Sequence, residues 1–234
     1  MAKQYKLQAL AGKVIAIDGP AGSGKSTTAR LLAARLGYIY LDTGAMYRAV
    51  TLHALRNNIP ISDGQALTDA ADQISIKFQM EKDNNRAFLG QEDVTQAIRS
   101  AEVTAAVSQV SAHAGVREAM VRQQREIAKN GNVVAEGRDT TSVVFPEADM
   151  KIYLDASLEE RARRRLIDFV RLNVTSNLEE QMKELSRRDS YDKNRAHSPL
   201  TRTADAVILD TTNLSVEEQV DRIMKFVKTR FMQV

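Results

Sequence analysis

Lys13-Val14-Ile15-Ala16-Ile17-Asp18 runs directly into Gly19-Pro20-Ala21-Gly22-Ser23-Gly24-Lys25-Ser26. The first six residues read as a buried strand, and the next eight match the pattern GxxxxGK[ST]. Behind them Ala29, Leu32, Ala33 and Leu36 lie on one helical face, and Gly37 stands where a helix C-cap belongs. Strand, glycine loop and helix in that order make a phosphate-binding loop. The glycines let successive backbone N–H groups turn around phosphate oxygens, and the following helix aims its positive end at them. Lys25 has the reach for terminal phosphates and the Ser26 hydroxyl suits Mg²⁺, with Thr27 closing the segment. The competing reading is a glycine-rich surface turn; the strand before and the helix after favour a nucleoside triphosphate such as ATP.

The 234 residues give room for one α/β domain carrying a smaller inserted part. No apolar run approaches the ~20 residues of a membrane span. Met1-Ala2-Lys3-Gln4-Tyr5-Lys6 lacks the apolar stretch of an export signal, so a cytoplasmic protein with no membrane partner is expected. The absence of cysteine excludes disulfides and thiolate metal sites, and His53, His113 and His197 share no zinc-ligand spacing. A net charge of +3 does not argue for nucleic acid as a partner. Of the 33 basic residues 21 are arginine, whose planar fork grips phosphate in two places, and several fall in short motifs. That pattern points to a small phosphorylated ligand.

Tyr38-Ile39-Tyr40-Leu41 reads as a second strand, with Asp42-Thr43 opening a helix that runs to Asn57-Asn58. From about residue 61 the texture changes. Residues 74–79 alternate with period 2, Asp83-Asn84-Asn85 reads as a turn, and residues 86–89 resume, which predicts an antiparallel hairpin. Residues 101–129 and 161–188 read as helical. Strands are expected at 132–135, 151–154 and 206–209, with capping boxes at Ser157/Glu160 and Ser215/Glu218. Val216, Val220, Ile223, Met224 and Val227 stripe the last helix. Five strands with helical crossovers predict an α/β, doubly wound parallel sheet of the P-loop NTPase fold, with ligands beyond the strands' C-terminal ends.

Three further motifs each admit two readings. Arg48, a little over one turn after Thr43, is a phosphate clamp or an ordinary helix residue. Glu136-Gly137-Arg138-Asp139 ends a strand, where an acid can orient the Mg²⁺ shell; the alternative is a surface ion pair of little energetic weight. Arg188, Asp192 and Arg195 fall at i, i+4 and i+7 on one helix face, as salt bridges do and as arginines closing on a transferring phosphoryl group would. Arg161, Arg163, Arg164 and Arg165 read mostly as a solvated face.

Taken together, IDGPAGSGKST, LDTGAMYR, EDVTQAIRSAEV, SQV, VRE, EGRD, VVFP, LDAS and RDSYDKNRA resemble the bacterial cytidylate kinases, over about residues 14–227. Shikimate kinases lack the inserted stretch, and typical adenylate kinases carry a longer lid. The resemblance implies a core of 13–60, 130–160 and 196–234, a monophosphate-binding insert of 61–129 and a short helical lid of 161–195. It implies phosphorylation of CMP, and of dCMP, by ATP with Mg²⁺ in a monomer. Arg48, Arg138 and Arg195 would hold the acceptor phosphate, and Ser108, Arg117 and Asp139 would read cytosine. Arg188 and Asp192 would contact ribose, and Thr43 would lie at the monophosphate pocket. Lys25, Arg138, Arg188 and Arg195 would be the catalytic cations, and Ser26 with Glu136 the metal ligands. Three positions depart from the pattern: Thr43 replaces a common serine, Glu136 a common aspartate, and Thr140-Thr141-Ser142 the usual apolar-Gly-Thr. The last leaves the backbone after Asp139 open. A kinase for another monophosphate such as UMP, or a non-enzymatic nucleotide-binding module, is the alternative; the latter is weakened by the lack of D-x-x-G and N-K-x-D.

Overall fold

The computed structural model describes residues 10–81, 84–171 and 175–231. Its elements are, in chain order, β1 (Val14–Asp18), α1 (Lys25–Leu36), β2 (Ile39–Asp42), α2 (Thr43–Arg56), α3 (Gly64–Gln73), β3 (Ile76–Glu81), β4 (Asn84–Leu89), β5 (Glu92–Asp93), α4 (Ala101–Val110), α5 (Ala114–Ile127), β6 (Val133–Gly137), β7 (Met150–Asp155), α6 (Leu158–Arg171), α7 (Leu178–Asn194), β8 (Val207–Asp210) and α8 (Val216–Phe231). One sheet has five strands in the order β2-β6-β1-β7-β8, and a second has three in the order β3-β4-β5. β1 pairs in parallel with β6 and β7, and β7 with β8. The chain therefore winds outward from β1 to both sides, the doubly wound α/β arrangement expected from the alternation of strands and helices. By compactness it divides into Met1–Tyr38 with Gly131–Val234, and Ile39–Asn130.

In the first unit Ile15, Ala16 and Ile17 of β1, Val133 to Ala135 of β6, and Ile152 and Leu154 of β7 are sealed from solvent. Strands covered on both faces need continuous apolar runs rather than alternation, which is what these segments contain. The register places Asp18 opposite Gly137 and Ile17 opposite Glu136, so the loop after β1 and the Glu-Gly-Arg-Asp segment leave the sheet together. α1 buries Ala29, Leu32 and Ala33, and α8 buries Val220, Ile223 and Val227. Gly37 ends α1 at φ 68°, its N–H reaching the Ala33 and Ala34 carbonyls. Before α8, Ser215 and Glu218 make both arms of the expected capping box. Before α6 only one arm forms. Ser157 Oγ accepts from the Glu160 N–H, but the Ser157 N–H goes to Thr212 and the Glu160 carboxylate to Arg164.

The helix expected over 161–188 is two helices. α6 ends at Arg171, and α7 starts afresh behind Asn177, which exchanges hydrogen bonds with Glu180 in a full capping box. An Asn-x-x-Glu start signal interrupts what composition alone reads as continuous helix. The two helices close on Ala162 and Leu185, with Leu158, Leu178 and Met182 around them and Ala21 of the glycine loop in the same cluster.

In the second unit Asp42 caps α2 by accepting the Ala45 N–H at 2.9 Å, and Asn57 ends it. The hairpin is present, but its turn is displaced: Asn84 and Asn85 belong to β4, opposite Glu81 and Met80, and Asp83 lies outside the described residues. β5 adds a short third strand. α3, capped by Asp63 and burying Leu67, Ala70 and Ala71, stands where no helix was expected. The helical stretch 101–129 breaks at residues 111–113 into α4 and α5.

Gly19 has a φ of 151°, and a Cβ there would lie 2.0 Å from the Leu154 carbonyl oxygen on β7. Neither backbone can yield without disturbing the sheet. Gly19→Ala should therefore destabilise the protein by about 3 kcal/mol, the sum of a hard overlap and a strained φ. In thermal melts that is a loss of roughly 6–12 °C for a chain of this size.

Candidate active site

The glycine loop is shaped from outside by side chains that bind its carbonyls. Arg161 of α6 donates to the Ala21 carbonyl at 3.1 Å, and the Thr211 hydroxyl to the Ser23 carbonyl at 3.0 Å. Arg164, one turn along α6, holds Thr211 in turn through its hydroxyl and carbonyl. A trans peptide points its C=O and the next N–H in opposite directions, and none of the described peptides is cis. Tethering Ala21 and Ser23 toward α6 therefore turns the N–H groups of Gly22 and Gly24 the other way. Both glycines have φ near 80–90°, which suits residues without Cβ. The Ser23 hydroxyl is buried and has no hydrogen-bond partner among the described residues. Polar hydrogens gathered at the start of α1 suit an anion.

Lys25 opens α1 almost fully buried, its ammonium on the Pro20 carbonyl at 2.8 Å. Burial, aided by the positive charge of Arg138, lowers its pKa to about 7, with Glu136 and Asp18 opposing and Arg188 adding to the fall. Ser26 donates to Glu136 Oε1 at 2.6 Å, so the hydroxyl and the strand-end acid share one spot beside the lysine. Arg138 is paired with Asp192 of α7 at 2.8 Å. Burial alone would raise the Asp192 pKa, but Arg138, with Arg188 and Arg195, holds its carboxyl below the usual range. Arg195 lies 3.8 Å from Asp139. One unit thus brings together Lys25, Ser26, Glu136, Arg138, Asp139, Arg188, Asp192 and Arg195. Arg195 is not on the helix face with Arg188 and Asp192, however. It stands just past the last residue of α7 as the C-cap, its N–H on the Tyr191 carbonyl.

The second unit gathers the other predicted residues around α2. Thr43 is buried in its first turn, and Arg48 donates to the Ile98 carbonyl and the Thr104 hydroxyl. Arg117 on α5 is buried, donates to the Ser111 carbonyl at 3.0 Å and lies over the Tyr47 ring at 5.0 Å. Ser108 is half-buried on α4. Among the described residues no group of three or more His, Asp or Glu side chains is placed to hold a metal, and no helix is long and apolar enough to cross a membrane.

The family model described as cytidylate kinase matches residues 15–229. The chain belongs to the cytidylate kinase family. It is 50% identical over 216 residues to the cytidylate kinase of Geobacillus sp. (strain WCH70), covering 92% of this chain and 96% of the relative. It is 49% identical over 213 residues to that of Bacillus cytotoxicus, covering 91% and 95%. A crystal structure of an uncharacterized protein from Eubacterium ventriosum aligns with a TM-score of 0.50 at 12% identity over 93% of this chain and 99% of that one, a likeness of fold alone.

For a family of phosphotransferases, the residue that sequence reasoning missed most plainly is Arg161. Far from a solvated face, it is buried, bonded to the Ala21 and Ala156 carbonyls and paired with Asp189 of α7 at 2.8 Å. Its neighbours Leu158 and Ala162 mark the inner side of α6, which was the available signal. Arg163 does face solvent and pairs with Glu159. Removing one partner of a buried pair strands the other, so Arg161→Met should cost about 3–5 kcal/mol. Arg163→Ala should stay within ~0.5 kcal/mol. Urea unfolding of the two variants side by side measures the contrast.

Proposed function

We propose that this chain transfers the γ-phosphoryl group of ATP to CMP, and to dCMP, releasing ADP and the nucleoside diphosphate. The observation that carries the proposal is the meeting of Lys25, Ser26 and Glu136 with Arg138, Asp139, Asp192 and Arg195 at the C-terminal ends of β1 and β6, in a chain of this family. The roles implied by the resemblance are the ones assigned: Gly19 to Thr27 for ATP, and Arg138, Arg188 and Arg195 with Lys25 for the transferring charge. Asp139 and Asp192 serve the acceptor nucleoside, as do Thr43, Arg48, Ser108 and Arg117 of the second unit. We further propose that residues 13–60, 130–160 and 196–234 act as the core, 61–129 as the acceptor-binding insert and 161–195 as the lid. The protein acts as a cytoplasmic monomer on small molecules, without nucleic acid or membrane.

Mg²⁺ fits the donor set, because this ion takes one or two protein oxygens and fills the remaining positions with phosphate and water. Ser26 and Glu136 would hold it, and when bound it supplies charge neutralisation on the phosphates. The acceptor phosphate has a second pKa near ~6 and is already a nucleophile at neutral pH, so no base is required. The residues' work is alignment and stabilisation of charge on the moving group. Cytosine presents an amino donor that the Asp139 carboxylate can accept, whereas uracil would set a carbonyl against it. A mispaired buried group costs about 1–3 kcal/mol, or roughly ten- to a hundredfold in selectivity.

A coupled ADP-release assay across CMP, dCMP, UMP, AMP and GMP tests the substrate. Turnover is expected with CMP and dCMP, and exclusive turnover of another base would overturn the assignment. Asp139→Asn should lower kcat/KM for CMP by about tenfold or more and narrow the gap to UMP. A further expectation concerns Lys25. At pH 8 it is mostly neutral in the free protein, and a bound triphosphate favours its charged form. ATP binding at that pH should take up about one proton per site, and the uptake should shrink toward pH 6 as Lys25 charges beforehand. Calorimetry in two buffers of different ionisation enthalpy measures it; absence of uptake at pH 8 would show that Lys25 is already charged in the free protein or does not meet the phosphates.

A further inference from the structure

Asp18 closes β1, is sealed from solvent, and has no part in the chemistry described above. Its carboxylate accepts four hydrogen bonds in two matched pairs. Thr140 gives its N–H at 3.0 Å and its hydroxyl at 2.6 Å to Oδ1, and Thr141 its N–H at 2.7 Å and its hydroxyl at 2.6 Å to Oδ2. Both threonines are buried. They begin a single wide turn, Thr140–Val144, in which the Val144 N–H returns to the Asp139 carbonyl and the Phe145 N–H to Thr140. On the other side of Asp139 the chain is fixed by the sheet, where Gly137 lies opposite Asp18 itself and Glu136 opposite Ile17. Arg138 and Asp139 therefore occupy a span of two residues held at both ends, and the same aspartate participates in both holds. The hydroxyls of Thr140 and Thr141 supply half the donors. Burial pushes the Asp18 pKa above the usual carboxylate range, and the hydrogen bonds donated by Thr140 and Thr141 offset part of that rise.

We propose that Asp18, acting through Thr140 and Thr141, is the positioning residue for Arg138 and Asp139, and so sets acceptor binding apart from ATP binding. This rests on the reading of Arg138 and Asp139 as acceptor groups. The glycine loop has its own tethers in Arg161 and Thr211, so loosening the turn after Asp139 leaves the triphosphate cradle in place.

The test is the double variant T140V/T141V, which keeps the shape of both side chains and both N–H groups and removes only the hydroxyls. It should stay folded by circular dichroism, keep its KM for ATP within about twofold, and lose about tenfold to a hundredfold in kcat/KM for CMP, the scale of a small misplacement of reacting groups. T140S/T141S, which restores the hydroxyls, should recover most of that loss. Asp18→Asn, whose amide sets donors against donors, should lose at least as much in kcat/KM for CMP; because it also removes a charge that helps Lys25 keep its proton, the split between ATP and CMP is read from the threonine variants. The proposal is overturned if the valine pair keeps wild-type kcat/KM for CMP, or if ATP and CMP parameters fall together. Should the wild type not turn over CMP, the substrate assignment fails instead, and hydrogen exchange still tests the anchor. The Thr140 and Thr141 amides should exchange at least tenfold faster in the valine pair than in the wild type, and equal rates would show that the hydroxyls hold nothing.

Discussion

A loop that is to offer N–H groups to a phosphate must dispose of its carbonyls, because each trans peptide sends the two in opposite directions. Here that disposal is done by side chains from distant segments: a guanidinium on α6 for Ala21 and a hydroxyl after β8 for Ser23. The helices α6 and α7 consequently do more than flank the loop. Ala21 lies in their apolar cluster, and Arg161 ties its carbonyl to Asp189, three residues before Asp192, which pairs with Arg138. Loop conformation and the packing of α6 on α7 are thus fixed by one set of contacts, so a substitution in the first turn of α6 acts on the glycine loop as well as on the helix that carries it.

The same unit holds its cations close together. Burial is the first cause of the lowered lysine pKa; Arg138 and Arg188 lie near enough to add to it, and Glu136 and Asp18 oppose it. Desolvation makes the crowding costly. In the absence of phosphate the compromise is a lysine resting on a backbone carbonyl with its proton weakly held. A polyanion would resolve it, because added negative charge favours the charged form of the lysine. Such preorganised charge is what phosphoryl transfer asks of a protein, given that the acceptor oxygen needs no base.

How much of this was legible in the sequence follows from the range of each interaction. The strand, the glycine loop and α1 are specified within two dozen consecutive residues, and the Gly37 and Asp42 caps are local hydrogen bonds. Lys25, Ser26 and Glu136 could be placed from the motif and from a strand end. For the arginine at 161, Leu158 and Ala162 marked its side of α6 as inward, but its partners, a carbonyl 140 residues earlier and an aspartate on another helix, left no trace in the local sequence. The helix break before Asn177 was readable from its capping box but was hidden by the charged, helix-favouring residues around it. Ser108 and Arg117 carry no local signature at all, and only the resemblance to a family singled them out; Arg48 had its spacing from Thr43, which left two readings open.

The departure at 140–142 shows how a chain can change its sequence at such a point and keep the geometry. Where the family resemblance leads one to expect an apolar residue and glycine, a buried acid would find only backbone N–H groups on that side. Threonine at both positions adds two hydroxyls, and each hydrogen bond to a charged group contributes about 1.5–3 kcal/mol. Glycine is not demanded by the backbone either. The non-glycine residues with positive φ among those described are Asn58, Asn132 and Ser198, none of them in the turn, so Thr141 fits without strain. A side chain that costs nothing in conformation and satisfies a buried charge is a net stabilisation. It binds the end of β1 to the segment that carries Arg138 and Asp139, and so makes the acid at position 18 part of the site's framework rather than of its chemistry.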